Sequence, residues 1–306
     1  MTARRETPIG PWLVALGAGL WGTESAWRIP LNDLFPDADV LVFWEHVILV
    51  ACALPFILPR LGELRHVRAK TLGWLLFSGI AGSAVGAVLF TLAIKHGNPT
   101  VANVVLNVQP ILSTTAAFFL LRERLARGFY PWALLAVVAG VALVLDPGAT
   151  VAIDDGTAYA LGCALFWGLS TVAGRIVMLE LSLPLAAGLR VVIGLVSMTI
   201  IVTARGLFAP DTLWPATASA QTGSAIVWLV LLATLSGGIP LLIYFAGLAR
   251  TKASTAGYME MMQTLVAVVI TWGVFHAALG FTQVIGAVVL VGAVAMVQRA
   301  QATVTD

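Results

Sequence analysis

Glu24 and Arg28 stand four residues apart inside an apolar run, and Glu45 stands near the start of the next one. Residues at i and i+4 share a helix face, so Glu24 and Arg28 can pair. An ionisable side chain at mid-bilayer depth costs about 2.5–3.5 kcal/mol on insertion scales, so such groups face a cavity or one another. Trp21, Trp27, Trp44 and His46 surround them in sequence. Carboxylates among aromatic faces suit a cationic or zwitterionic ligand, held by charge and cation–π attraction. Two acids at one depth also repel each other, which motivates proton coupling. The competing reading is an interfacial tryptophan belt around a structural Glu24–Arg28 pair.

A second set lies in the C-terminal half. Arg190 and Glu260 each fall early in an apolar run, and their matched depth predicts an ion pair, either a gate or a strut. Asn103 and Asn107 are one helical turn apart, and Asn107 is the ligand candidate of the two. Gln109 reads as a bond between helices. Trp167, Tyr244 and Tyr258 are further candidates for the ligand site. Gly82 and Gly86 form a G-x-x-x-G pair, and Pro240 removes a helical hydrogen bond. These three are candidate hinge positions, with tight packing as the alternative.

The elements that position these residues follow from composition. Of 306 residues, 59% are hydrophobic and 10% charged, and mean hydropathy is +0.96. A soluble domain carries roughly 25% charged residues, so most of this surface must face lipid. A helix needs about 20 apolar residues to cross. Ten runs qualify: 11–29, 40–58, 72–94, 101–121, 131–145, 157–178, 184–204, 226–248, 254–275 and 281–297. The connection Arg205–Ala225 is long enough for an interfacial segment. The first run, behind Arg4 and Arg5, reads as an anchor retained as the first span.

With the N-terminus inside, 13 Lys and Arg residues fall on inner segments and three on outer ones. That asymmetry predicts an inner-membrane protein with both termini cytoplasmic. The net charge of +2 is dispersed between apolar runs, so no nucleic-acid surface is expected. Cys52 and Cys163 lie within apolar runs and read as small core residues. There is no G-x-S-x-G, H-E-x-x-H or P-loop pattern. Neither enzyme, metal site nor cofactor is expected.

The halves resemble each other. Ala15-Leu16-Gly17, Trp21-Gly22 and Arg28-Ile29 recur as Ala160-Leu161-Gly162, Trp167-Gly168 and Arg175-Ile176. Further on, Trp74 matches Trp228, Thr100 matches Ser254, and Gln109 matches Gln263, at an offset of 154. Five spans per half is an odd number, so residues 1–148 and 149–306 should enter the membrane in opposite senses. The predicted fold is an all-α membrane protein of ten transmembrane helices in two inverted five-helix repeats. Inverted repeats mark alternating-access transporters.

The paired Trp-Gly motifs, the Ala93-to-Pro110 segment, the Leu121-Arg122-Glu123-Arg124 exit and Gly140-Val141 resemble the drug/metabolite transporter superfamily, EamA branch. YddG-type amino-acid exporters belong to that branch. The resemblance implies ten helices, cytoplasmic termini, and export or exchange of small polar metabolites such as amino acids. Departures stand in the same segments. Trp44-Glu45-His46 replaces a basic residue that Arg190 keeps in the other half, and Gln109-Pro110 stands where Glu-Pro is usual. The expected partners are therefore a small polar or cationic metabolite, protons and the lipid bilayer. A passive facilitator, a non-transporting membrane component and an intramembrane enzyme are the alternatives.

Overall fold

A computed structural model of the chain describes residues 7–97, 102, 105–144, 155–275 and 280–302. Among these every regular element is helical. The helices are α1 (Ile9–Trp21), α2 (Glu24–Leu34), α3 (Ala38–Ile57), α4 (Ala69–Phe77), α5 (Gly86–His96), α6 (Gln109–Leu121), α7 (Phe129–Val144), α8 (Asp155–Val177) and α9 (Leu183–Ala204). The short α10 (Pro210–Leu213) and α11 (Ala216–Ala220) follow, then α12 (Thr222–Ala233), α13 (Ile239–Leu248), α14 (Ala253–Met259), α15 (Met262–Phe275) and α16 (Phe281–Ala302).

Six continuous helical stretches are long and apolar enough to cross a membrane: Ala38–His66, Ala69–His96, Asp155–Val177, Leu183–Ala204, Thr222–Leu248 and Phe281–Gln301. Gln109–Leu121 and Phe129–Ala142 are shorter apolar helices. The expected first and ninth spans are each divided, at Gly22–Thr23 between α1 and α2 and at Glu260–Met261 between α14 and α15. The expected fourth span turns at Asn107–Val108, before α6. Asn103, Thr100, the termini and the expected repeat boundary at 148/149 lie outside the described residues. Two span ends shift: the second continues as a 3₁₀ turn over Leu58–His66, and the third begins at Ala69.

Large apolar side chains cover the outside of these helices. Phe119, Leu134, Ile200 and Val288 are all more than half exposed. In a chain this poor in charge, that belt is where the acyl chains lie. Inside, the helices pair closely: α1 with α13, α5 with α8, α3 with α9, and α7 with α16. Glycine makes the α1–α13 approach possible, because a Cβ at Gly17 would lie 2.8 Å from the Tyr244 nitrogen.

Contacts repeat between positions that the sequence repeat relates. Trp21 packs on Tyr244 with centroids 4.7 Å apart and planes at 45°. Trp167, the mate of Trp21, packs on Phe90, whose mate is Tyr244, at 5.3 Å and 41°. The π-helical turn Ser78–Val85 joins α4 to α5, and a second one, Thr234–Gly238, joins α12 to α13. Such turns recur at functional sites. Gly82 lies within the first, Gly86 closes it, and Pro240 follows the second.

Polar ties close both ends of the bundle. On the arginine-rich face, Glu63 accepts hydrogen bonds from the Ser182 N–H (2.9 Å) and hydroxyl (2.8 Å), and Arg68 pairs with Glu180. There too, Glu123 accepts from the N–H groups of Ala253 (2.8 Å) and Ser254 (3.0 Å) at the start of α14. On the aspartate-rich face, Arg205 pairs with Asp37 at 3.3 Å and with Asp39. The 205–225 connection caps that face. Trp44 donates its indole N–H to the Leu213 carbonyl (2.8 Å), and Thr217 donates to that of Leu34 (2.6 Å).

Candidate functional site

A cavity of about 110 Å³ lies at the centre of the bundle. α1 and α2 contribute Trp21, Glu24 and Arg28, α3 contributes Glu45 and His46, and the first π-turn contributes Gly82 and Ser83. From the other half come Trp167, Thr171, Arg190, Ser236, Tyr244, Glu260 and Gln263. Both π-turns and the breaks at Gly22–Thr23 and Glu260–Met261 adjoin it. Interrupted helices turn polar groups inward at a depth where an unbroken helix offers none.

Charge is concentrated at two places. At the first, Arg28 is 1% exposed. Its Nε donates to Glu24 at 2.5 Å, Nη2 to Glu45 at 2.7 Å and Nη1 to the Thr91 hydroxyl at 2.7 Å. One guanidinium thus ties three helical segments, and two carboxylates share it. His46 bonds the Val42 carbonyl through Nδ1 (2.8 Å) and the Ser83 hydroxyl through Nε2 (2.9 Å). This is the Glu24–Arg28 pair expected from spacing, with Glu45 joined to it.

At the second, Glu260 accepts hydrogen bonds from the Tyr244 hydroxyl (2.6 Å), the Thr171 hydroxyl (2.9 Å) and the Gln109 side-chain amide. The break that ends α14 brings Glu260 to the cavity wall. The expected Arg190–Glu260 ion pair does not form. Both residues line the cavity, but neutral donors satisfy Glu260, and the Arg190 guanidinium instead lies 5.8 Å from the Phe245 ring centroid.

Other expected residues divide. Trp21, Trp167 and Tyr244 form the aromatic walls. Trp44 turns toward the aspartate-rich face, edge-on to Trp214 at 5.8 Å. Tyr258 packs edge-on against Phe129 at 5.3 Å, away from the central cavity. Asn107 lines a smaller neighbouring pocket with Gln109, Glu260 and Met261. The glycines serve close approach: a Cβ at Gly86 would fall 2.6 Å from the Trp167 Cδ1. Sequence reasoning missed Thr171 as a site residue; Gln109, expected as a bond between helices, makes one, donating from α6 to Glu260 at the end of α14. The available signal for Thr171 was its place one turn beyond Trp167, on the same face.

The profile of the EamA-like transporter family matches residues 8–146 and matches again at 155–299. The chain belongs to the EamA-like transporter family. This family lies within the drug/metabolite transporter superfamily, so the sequence resemblance holds over nearly the whole chain. A curated relative, the riboflavin transporter ImpX of Fusobacterium nucleatum subsp. nucleatum, is 25% identical over 294 residues, covering 92% of this chain and 95% of that one. A crystal structure of another protein shares the fold with a TM-score of 0.71 at 22% identity, covering 93% of this chain and 94% of that one. This EamA-like protein is a multi-pass membrane transporter of a small molecule, and it is not an enzyme. Its central cavity, lined from both matched segments, is the candidate substrate site.

Proposed function

We propose that this protein is a secondary transporter of small polar metabolites, amine-bearing ones among them, working by alternating access. The proposed architecture is ten crossings in two inverted five-helix halves, residues 1–148 and 149–306. The carrying observation is the shared cavity, to which related positions of the two halves bring Trp21 and Trp167. The mirrored ring pairs, the two π-turns and the doubled family match support the inversion. The arginine-rich face is the cytoplasmic one, with both termini on it, in the inner membrane. Resemblance to the amino-acid exporters is the ground for export or exchange.

Proton coupling belongs to the Arg28 cluster. Two carboxylates against one guanidinium leave one formal negative charge inside the membrane, and a proton neutralises it at least cost. In proteoliposomes, a pH gradient should drive uphill movement of substrate. Glu24→Gln and Glu45→Gln should each cut the gradient-driven part at least tenfold. Unchanged flux in both variants would refute the coupling. Movement that never exceeds equilibration would refute secondary transport and leave a facilitator.

The aromatic walls support a narrower second reading. Trp21, Trp167 and Tyr244 offer ring faces to a flat substrate, and the relative ImpX is named for riboflavin. Riboflavin quenching of tryptophan fluorescence, saturable in the wild type and lost in Trp167→Leu, would favour it over small amines.

A further inference from the structure

Arg190 differs from the other arginine of the cavity. Arg28 has three partners within 2.7 Å. Arg190 reaches the same cavity from α9, yet among the described residues it donates no hydrogen bond and has no carboxylate at ion-pair distance. Its guanidinium lies 5.8 Å from the Phe245 ring centroid. Gly82 leaves it room, since a Cβ there would fall 3.0 Å from Nη2. A cation–π contact returns less than a mid-membrane charge costs on insertion scales. Glu45, which stands 145 positions earlier in the related span, has its counterion in Arg28. Arg190 has none.

We propose that Arg190 docks a carboxylate of the transported molecule, which supplies the direct ion pair that the protein itself does not make. A guanidinium offers parallel N–H groups that match a carboxylate bidentately. A single negative charge fits best. Glu24, Glu45 and Glu260 already outnumber Arg28 and Arg190 around the cavity, so a doubly charged phosphate would meet more repulsion. The assignment makes Arg190 a specificity-determining residue that selects acids over their amides and over plain amines. It rests on the reading of the cavity as the substrate site.

The test uses matched probes on the full-length purified protein: leucine, leucinamide and isopentylamine; phenylalanine, phenylalaninamide and phenethylamine; butyrate and butyramide. A ligand that binds the folded form raises its unfolding midpoint. At least one carboxylate should stabilise the wild type while its amide and amine do not. Arg190→Gln should weaken that carboxylate at least tenfold. Arg190→Lys, which keeps the charge and loses the fork, should weaken it less and guards against a folding defect in the glutamine variant. Equal stabilisation by amides or amines, undiminished binding in Arg190→Gln, or stabilisation by no carboxylate overturns the assignment. Flux of the same probes in proteoliposomes separates the two proposals. Carboxylate binding without flux fails the transport reading alone, and flux of amides and amines as fast as acids fails the Arg190 assignment alone.

Discussion

Arg28→Met should destabilise the protein by about 3–5 kcal/mol, the cost of removing one partner from a buried charge cluster. The side chain is 1% exposed and neutralises Glu24 and Glu45 together. Its loss leaves two carboxylates facing each other at the cavity wall without a counterion and leaves the Thr91 hydroxyl without its donor. Removing one acid should cost much less. In Glu24→Gln the guanidinium keeps Glu45, and in Glu45→Gln it keeps Glu24. The triple variant Arg28→Met, Glu24→Gln, Glu45→Gln should recover much of the loss, because no charge is then stranded. Unfolding in detergent, followed by tryptophan fluorescence, reads the order directly. If the triple variant is no more stable than Arg28→Met, stranded charge is not the cause.

Glu260→Leu should abolish transport and destabilise the fold together. Three donors converge on this carboxylate, from Gln109, Thr171 and Tyr244. Leucine accepts none of them, and each orphaned buried donor costs about 1–3 kcal/mol. Tyr244 also packs on Trp21, so its displacement spreads into the aromatic wall. Glu260→Gln keeps one acceptor oxygen at similar volume and should retain most of the stability while altering transport. Midpoint and flux measured on both variants separate the hydrogen-bonding role from the charge. Wild-type flux in Glu260→Leu would remove this carboxylate from the site.

Much of this site was legible in the sequence because charge in an apolar run has few places to go. Glu24 and Arg28 sit one turn apart, and equal depth brought Glu45 to them across a helix boundary. Depth also placed Arg190 and Glu260 at the same cavity. Azimuth was not legible, and there the expected ion pair failed. A helix that is apolar all round carries no stripe to say which face turns inward, so Trp44 and Trp21 looked equivalent until packing sent one to the aspartate-rich cap. The breaks at Gly22–Thr23 and Glu260–Met261 were hidden for another reason. No proline stands at either, and the turns depend on polar partners far away in sequence, such as the Thr23–Ser236 hydroxyl bond of 2.7 Å. Thr171 was obscured because small polar residues are ordinary in membrane helices.

The central claim is that one cavity opens to each side of the membrane in turn. Ser83 lines it, so Ser83→Cys, with Cys52→Ser and Cys163→Ala removing the native thiols, gives a single reporter at its wall. An impermeant thiol reagent should label Cys at position 83 in sealed vesicles of either orientation, with no reagent passing into the lumen. Labelling from one face only, or leakage of the reagent through the protein, would contradict alternating access.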